Sequence, residues 1–369
     1  MNNVTYTANA FPSQQELQTV PIFKALADAR AALGELKGTA SSLPNQGILL
    51  DTLSLQEALA SSEIENIVTT QDEVFQIDPV QDVGSPEAKE VARYAQAMRH
   101  GFEMWQEKQF INENMLIEMF RILKRRDDGY RTNSGTVLRD GRGQTIYTPP
   151  QNPQDIVRLM RDLEAFINEK SGALDPLIRM ALIHHQFESI HPFPDGNGRV
   201  GRMLNVLYLT HTKLLDVPIL YLSRAINASK TDYYRLLQAV RDENLWEEWV
   251  IYMLGAVAQS ASSTLRLIEA IRDLMQATKQ RMRGALPKIY SQDLLNNLFR
   301  HPYTRISYLE NELSFGPQTA RKYLETLAKN GFLEKMKSGR NNYYINAPLV
   351  ALLFNVSEGD MPQAERSDR

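Results

Sequence analysis

Twelve residues, from His191 to Arg202, hold most of the side chains in this sequence that could do chemistry. They read HPFPDGNGRVGR and include one histidine, one aspartate, three glycines and two arginines. A histidine exchanges its proton near neutral pH, and an aspartate oxygen suits a hard cation such as Mg²⁺. Guanidinium groups match phosphate oxygens, and glycines leave backbone N–H groups open to an anion. These residue types at this spacing predict phosphoryl or nucleotidyl transfer from a polyphosphate to a hydroxyl group.

Two predicted helices must position this segment. Asp175 followed by proline is a helix start signal, and residues 176–189 are apolar on most sides, which is typical of a buried helix. Pro192 cannot continue that helix, so it should end at His191. A second helix follows the glycines at once, and its positive N-terminal end favours an anion. A glycine-rich turn alone is a weak signal, so the prediction depends on the whole combination; the absence of GxxxxGK[ST] excludes an ordinary P-loop.

The rest of the chain reads as mainly α-helical, with a hairpin before the catalytic segment and a different pattern at the C-terminal end. Asn152 followed by proline opens another helix. Two β-prone runs between Thr136 and Tyr147 flank Asp140-Gly141, a hairpin turn signal. Near the C-terminus, three short helices and a basic hairpin are in the order of a winged helix. They cover Ser291 to Phe299, Arg305 to Glu312, Pro317 to Lys329, and strands Leu333 to Lys337 and Asn342 to Ile345, joined by Ser338, Gly339 and Arg340.

Composition bounds the class of protein. Hydrophobic content of 43% and charged content of 23% in 369 residues are ordinary for a globular chain of several domains. The net charge of −3 argues against a polycation that coats nucleic acid. The lack of cysteine excludes disulfides and thiolate zinc sites. The N-terminus does not resemble a signal peptide, and no run of about 18 apolar residues exists, so we expect a cytoplasmic protein without a membrane span.

The catalytic segment resembles the signature HxFx(D/E)GNGRxxR of Fic-domain proteins, without departure. The similarity extends to Tyr130-Arg131 and to the hairpin ending at Tyr147 to Pro150, which resemble the flap of that family, and to Leu43 to Gln46. It runs from about residue 20 to 345. The fold implied is a Fic-type helical core with a β-hairpin flap and a C-terminal winged helix. The expected domains are an N-terminal extension 1–105, a catalytic core 106–260, a linker helix 261–285, a winged helix 286–347 and a disordered tail 357–369.

The resemblance implies a protein adenylyltransferase (AMPylase) that moves AMP from ATP, with Mg²⁺, to a serine, threonine or tyrosine hydroxyl of a target protein or of the chain itself. It makes His191 the general base and places Mg²⁺ on Asp195. Phe193 would pack beneath the loop, and Tyr234 would line the nucleotide pocket, although from the sequence alone Tyr234 could equally be a core residue. The residues expected to bind the triphosphate are Gly196, Asn197, Gly198, Arg199, Val200, Gly201 and Arg202.

A second motif, SSEIEN at residues 61–66, resembles the inhibitory motif (S/T)xxxE(G/N) of the same family. Its members here are Ser61, Glu65 and Asn66. The implied role is that Glu65 pairs with Arg202, which removes a ligand of the γ-phosphate and holds ATP in an unproductive pose. The resemblance therefore also counts Glu65 among the nucleotide-binding residues. The helix that carries the motif is predicted to begin near Leu55, because Ser54 and Glu57 have the spacing of a capping box. Without the resemblance, a glutamate on a solvated helix face is the ordinary interpretation.

Other interpretations stay open at the level of sequence. His184 and His185 are adjacent and point to different helix faces, so structural histidines are favoured over a zinc site. Residues 288–340 contain nine Lys or Arg against five Asp or Glu, which allows a DNA-binding transcription factor as an alternative function. Removal of AMP, with Glu65 positioning water, is another alternative. A homodimer and DNA contact through the winged helix are further expectations.

Overall fold

The computed structural model describes residues 11–41, 46–70, 73–74, 84–139, 141–169, 174–338 and 341–354. The part described is mainly α-helical, as predicted, with five short strands. The helices are α1 Val20–Ser41, α2 Gly47–Ile64, α3 Pro86–Lys108, α4 Glu113–Lys124, α5 Pro153–Asn168, α6 Pro176–Ile190, α7 Asn197–His211, α8 Leu222–Ala228, α9 Lys230–Glu243, α10 Trp246–Ala285, α11 Gln292–Arg300, α12 Ile306–Leu313, α13 Pro317–Lys329 and α14 Ala347–Phe354. The strands are β1 Leu138–Arg139, β2 Thr145–Tyr147, β3 Tyr303–Thr304, β4 Glu334–Ser338 and β5 Asn341–Ile345.

The chain divides into two compact units. The first comprises the described residues of Met1–Gly38, Leu53–Thr69 and Ser85–Thr264, and the second those of Thr39–Thr52, Thr70–Gly84 and Leu265–Arg369. The domain boundaries expected from the sequence remain a prediction. The residues expected to form a separate linker, 261–285, are the C-terminal part of α10, a single helix of 40 residues.

Helix α6 is the centre of the first unit. The Asp175 side chain accepts a hydrogen bond from the Leu177 N–H at 2.8 Å, which confirms the predicted N-cap. Thirteen of the fifteen residues of α6 are buried, because it is apolar on most sides. Helix α7 packs against it and starts at Asn197. The order helix, loop, helix therefore places the twelve-residue segment at the end of a rigid core helix.

The two histidines of α6 are buried and contact residues of α9 and α10. His184 Nε2 lies 2.8 Å from the Tyr233 hydroxyl, and its ring stacks on Trp249. His185 Nε2 lies 3.2 Å from the Leu237 carbonyl oxygen. Burial lowers the pKa of His184 to about 3 and lowers that of His185 well below its usual range, so both stay neutral. Among the described residues, no group of three or more histidine and acidic side chains could hold a metal ion.

The predicted start of α2 is wrong. The helix begins at Gly47, eight residues before the expected position at Leu55, and Ser54 and Glu57 lie inside it. Both residues are buried, at 3% exposure each. A capping box requires Ser54 at an exposed helix start. The same spacing occurs here in a helix interior, where Glu57 has partners on other elements.

The hairpin before α5 is present but short. Strands β1 and β2 pair antiparallel, with Leu138 opposite Tyr147 and Arg139 opposite Thr145. Asp140 of the predicted turn lies outside the described residues. Helix α5 starts at Pro153 with Asn152 as N-cap, as expected. Residues 43–45 of the Leu43 to Gln46 stretch also lie outside the described part.

The second unit contains the predicted helices α11, α12 and α13 and the hairpin β4–β5. Strand β3 pairs with β5, giving an antiparallel sheet in the order β3-β5-β4. Strand β3 and helix α14 were not anticipated, since two strand residues and one short apolar helix give little signal. The winged-helix assignment remains a prediction. Residues 339–340 of the turn and the tail 357–369 lie outside the described residues.

Among the described residues, no helix is both long enough and apolar enough to cross a bilayer.

Candidate active site

His191 stands at the C-terminal end of α6 in a left-handed conformation, with φ of 51°. Its backbone N–H donates to the Phe187 carbonyl at 2.9 Å and closes the helix. Burial lowers the pKa of His191 to about 4, and the positive charges of Arg241 and Arg131 contribute to this. The imidazole is therefore neutral at physiological pH and able to accept a proton.

The loop after His191 is held by a buried aromatic stack and by hydrogen bonds from an asparagine side chain to the loop backbone. The Phe193 ring stacks on Phe120, with ring centroids 4.4 Å apart and planes 7° apart. Asn197 Oδ1 accepts from the Phe193 N–H at 2.8 Å, and Asn197 Nδ2 donates to the Phe193 carbonyl at 2.8 Å. Both polar atoms of the Asn197 side chain are thus used within the loop. The backbone N–H of Asn197 is the group that can bind a nucleotide.

Arg202 is completely buried and bound to the end of α2. Its Nε donates to Ser61 Oγ at 2.8 Å, and its Nη2 donates to the Ser61 carbonyl at 2.9 Å and to Glu65 Oε1 at 2.8 Å. Burial alone would raise the pKa of Glu65, but the Arg202 guanidinium outweighs it and the net pKa is lowered. Three donors of Arg202 are therefore occupied by the chain's own inhibitory motif.

The residue after Glu65 explains the Gly or Asn in that motif. Asn66 has φ of 60°, a left-handed conformation that glycine and asparagine tolerate best. Its side-chain oxygen accepts from Lys230 Nζ at 3.0 Å. The turn at Asn66 ends α2 directly beside the glutamate.

The glycine-rich segment lets Glu65 approach closely. A Cβ on Gly198 would collide with Glu65 Oε1 and would lie 2.9 Å from Arg202 Nη1. Gly196 has φ of 75° and precedes the first residue of α7. Val200 points into the core with no exposed surface, and a Cβ on Gly201 would lie 3.0 Å from the Phe187 ring. The Gly196 N–H donates to Asp195 Oδ1, and the Val200 N–H donates to the Gly196 carbonyl at 3.0 Å. The backbone N–H groups of the first turn of α7, at residues 197–199, are therefore the ones that remain available to a ligand.

Arg199 and Asp195 belong to a network of charged groups that the sequence did not suggest. Arg199 is buried and pairs with Glu90 of α3. Lys124 Nζ lies 2.6 Å from Glu90 Oε1 and 2.6 Å from Asp195 Oδ2. Asp195 Oδ1 accepts from the Gly196 N–H at 2.6 Å. Burial would raise the pKa of Asp195, but Lys124 lowers it, so the carboxylate is ionised.

A cavity of about 630 Å³ lies between His191, the Glu65–Arg202 pair and the flap. It brings His191, Arg202 and Glu65 together with Tyr234, which is 42% exposed. The flap residues Leu138, Arg139 and Ile146 line the same cavity, and so do Glu188, Lys230, Tyr233, Gln238 and Arg241. Asp195 and Arg199 are not among its lining residues.

Family comparisons agree with this geometry. The model of the Fic/DOC family matches residues 110–209, and that of the Fic/DOC family N-terminal region matches residues 23–103. The C-terminal domain of SoFic-like protein adenylyltransferases matches residues 274–349. The chain belongs to the Fic/DOC family. Its Fic domain contains His191 and Arg202, and its Fic/DOC N-terminal region contains Glu65.

Individual relatives cover different parts of the chain. A probable protein adenylyltransferase of Aquifex aeolicus is 27% identical over 177 residues, which are 46% of this chain and 51% of that protein. The protein adenylyltransferase Fic of Drosophila melanogaster is 45% identical over 56 residues, which are 15% of this chain and 11% of that protein. The chain thus spans about half the length of the first relative and a small part of the second.

Solved structures show the same fold. A Fic family protein from Desulfovibrio desulfuricans aligns with a TM-score of 0.56 and 24% identity over 89% of this chain and 96% of that one. Fic-1 from C. elegans aligns with a TM-score of 0.52 and 18% identity over 70% of this chain and 77% of that one. The Fic-type architecture predicted from the sequence is therefore confirmed.

Several residues around the Fic-domain site were missed by sequence reasoning. Glu90, Lys124 and Arg241 lie far from the motif in the chain, and no local pattern marks them. Glu188 stands three residues before His191 and could have been noticed as a charge in an apolar helix. Burial raises its pKa to about 7, and its Oε1 has no hydrogen-bond partner among the described residues.

Proposed function

We propose that this chain is a protein adenylyltransferase restrained by its own Glu65. The observation that carries the proposal is the shared cavity, which contains a neutral His191 and Arg202, a residue type that binds phosphate. In the same cavity, Glu65 is bound to Arg202. The names of the Aquifex and Drosophila relatives support AMP transfer as the reaction. ATP is then one substrate, and a protein hydroxyl is the other.

The chemistry assigns one role to each group. The oxygen of a serine, threonine or tyrosine hydroxyl attacks the α-phosphorus of ATP, and the bond from that phosphorus to the bridging oxygen of the β-phosphate breaks. Pyrophosphate leaves with that oxygen, and His191 takes the proton of the attacking hydroxyl. The backbone N–H groups at the start of α7 and the Arg202 guanidinium bind the phosphates. Arg199 is assigned to the same task and would have to share its guanidinium with Glu90.

Asp195 fits the expected magnesium site. Its carboxylate is ionised and more than half exposed, and Mg²⁺ typically takes one or two carboxylates plus phosphate oxygens and water. Lys124 would have to yield one carboxylate oxygen. Bound Mg²⁺ would supply charge neutralisation of the phosphates.

The flap would align the protein substrate. Leu138, Arg139 and Ile146 face the cavity, and an exposed strand edge can pair with an extended segment of a target. Self-modification uses the same geometry if a hydroxyl of the chain reaches the site.

The alternatives have less support. Removal of AMP would also use the position of Glu65 beside His191, and DNA binding would use the basic C-terminal segment. A homodimer and a cytoplasmic location likewise remain predictions from the sequence.

His191→Ala tests the proposal. Purified Glu65→Gly protein, alone and with cell lysate, is incubated with labelled ATP, and AMP-modified peptides are identified by mass spectrometry. We expect Glu65→Gly/His191→Ala to lose at least about 100-fold in transfer, the typical contribution of a general base, while ATP binding persists. His184→Ala is unsuitable as a control because His184 is buried in the core. His100→Ala serves instead, because His100 is not among the residues that line the cavity. Equal labelling by Glu65→Gly and by Glu65→Gly/His191→Ala would refute the assigned mechanism.

A further inference from the structure

The C-terminal turn of α6 presents His191, and its carbonyl groups require partners. The last four carbonyls of a helix have no partner within it, and a buried one left unpaired is costly. The Phe187 carbonyl accepts from the His191 N–H at 2.9 Å. The next three are buried or half-buried beside the cavity and must be satisfied from outside the helix.

Three side chains from other elements supply those partners. Arg241 Nη2 of α9 donates to the Glu188 carbonyl at 3.3 Å. The Tyr147 hydroxyl of β2 donates to the Ser189 carbonyl at 2.8 Å.

Arg131 completes the set from the segment before the flap. Its Nη2 donates to the Ile190 carbonyl at 3.4 Å and its Nε to the His191 carbonyl at 2.8 Å. Its own backbone N–H donates to the Pro192 carbonyl at 2.8 Å. Every backbone carbonyl from Phe187 to Pro192 therefore accepts a hydrogen bond.

Two of the three side chains also contact each other, and the third is bonded to the end of the flap. The Arg241 guanidinium lies over the Tyr147 ring at 3.9 Å from its centroid, and Arg241 Nε donates to Ser189 Oγ at 3.1 Å. Arg131 Nη2 donates to the Pro150 carbonyl at the end of the flap. We call Arg131, Tyr147 and Arg241 the carbonyl clamp.

We propose that the carbonyl clamp consists of positioning residues, which fix the left-handed turn at His191 and thereby aim its ring at the substrate hydroxyl. The catalytic consequence of this inference rests on the proposed function, whereas the contacts of the clamp are independent of it. The clamp ties the flap and α9 to the turn that carries the base. A catalytic group displaced by about 1 Å can lose about 100-fold in rate, so the clamp would act on turnover rather than on ATP binding.

The clamp also places two positive charges beside the imidazole. The charged groups that face His191 are Arg241 on α9, Arg131 before the flap and Glu65 after α2. The two arginines disfavour a second positive charge on the ring, and Glu65 favours one. Loss of Arg241 should therefore raise the pKa of His191, an effect that a merely structural arginine at a distance would not have.

The test uses the full chain with ¹³C-labelled histidine and the variants Arg241→Met, Arg241→Lys and Tyr147→Phe. Arg235→Met is the matched control, because Arg235 lies on the same helix, is exposed and bonds only Asp232 among the contacts described. The His191 ring signal is assigned by its absence in His191→Ala. We expect its titration midpoint to rise by about 1 pH unit in Arg241→Met and to stay near the native value in Arg241→Lys, Tyr147→Phe and Arg235→Met.

Turnover is measured in parallel in the Glu65→Gly background. We expect kcat to fall by about 10–100-fold in Arg241→Met and Tyr147→Phe, with KM for ATP changed less than about twofold. An unchanged His191 midpoint in Arg241→Met, or losses seen in KM alone, would overturn the proposal. If Arg241→Met does not fold, the kcat of Tyr147→Phe tests the proposal, because this variant removes one hydroxyl and keeps the ring. If no protein transfers AMP, the proposed function fails, and the titration still tests the clamp.

Discussion

Arg202 can bind either a phosphate or the Glu65 carboxylate, and in this structure it is bound to Glu65. The guanidinium is fully buried, so a lost partner is not replaced by bulk water. Breaking a buried ion pair by removing one member is typically destabilising by about 3–5 kcal/mol, because the other charge stays buried. The pair is therefore both a stabilising contact and an obstacle to a nucleotide.

A double-variant comparison separates those two roles of Arg202. Glu65→Gly should activate transfer, whereas Arg202→Ala should not, because Arg202 is also proposed to bind the γ-phosphate. The double variant should resemble Arg202→Ala, since groups in direct contact are not additive. Initial rates of self-labelling with ATP provide the measurement. A double variant as active as Glu65→Gly would show that Arg202 has no role in binding ATP.

Asp195 should be required for magnesium-dependent transfer but not for folding. We expect Asp195→Ala in the Glu65→Gly background to lose about 100-fold or more in rate, because a metal ion neutralises charge that builds on the phosphates. The thermal midpoint should change little, since this side chain is 61% exposed. Asp232→Ala, an exposed aspartate of α9, is the control. Full activity of Asp195→Ala, or transfer in excess EDTA, would contradict the assignment.

Sequence reasoning was sufficient for the pairs that a motif spells out, and insufficient for residues that only the fold brings together. The contact of Glu65 with Arg202 was expected from two motifs and is present. Glu90, which occupies Arg199, comes from another helix and carries no local signal. Asn197 was assigned to the nucleotide, yet its side chain bonds the Phe193 backbone, because a buried asparagine satisfies its nearest unpaired groups.

At the scale of elements, α2 is held by the buried carboxyl group of Glu57, besides the half-buried Glu65 that follows the helix. Glu57 accepts from the Ser223 N–H at 3.0 Å, from the Ser223 hydroxyl, and from the Tyr94 hydroxyl at 3.3 Å. Burial raises its pKa to about 7, against the lowering effects of Ser223, Arg202 and Tyr94. The docked helix therefore retains a proton on Glu57 at pH values where a solvated glutamate has lost it.

This proton should make the restraint depend on pH. A raised pKa in the docked state means that Glu57 supports docking fully below pH 4.5, and that this support is lost as pH rises through about 7. Wild-type transfer should then increase between about pH 5 and 7 and level off above. Glu57→Gln, which cannot ionise, should flatten this increase, as should Glu65→Gly. A wild-type profile that parallels that of Glu57→Gln would exclude a role for this proton.

The elements themselves were predictable where local signals and burial agree. Helices α5 and α6 start at the expected Asn152 and Asp175 caps, because both caps carry a following proline. The start of α2 was misplaced because Ser54 and Glu57 imitate a cap while making tertiary contacts. Strand β3 is two residues long, and its pairing with β5 is a long-range contact that no local pattern reveals.

At the scale of the whole molecule, the restraint links residues far apart in the chain. Glu65 and Arg202 are separated by 137 positions, and both belong to the first compact unit. Such a restraint requires two states of this unit, one with Glu65 bound to Arg202 and one with the guanidinium open to a nucleotide. A bias of about 2–3 kcal/mol toward the first would leave about 0.7–3% of molecules competent.

The most direct test of this account compares Glu65→Gly with Glu63→Gly. Glu63 lies two residues earlier, is exposed and bonds Asn227, so its variant matches the loss of a glutamate without touching Arg202. Initial rates of self-AMPylation with α-labelled ATP are measured for both and for wild type. We predict that Glu65→Gly is about 30–150-fold faster than wild type, at tenfold per 1.4 kcal/mol, and that Glu63→Gly stays within about threefold. Equal rates for Glu65→Gly and wild type, or equal activation by Glu63→Gly, would contradict the claim that Glu65 restrains the enzyme.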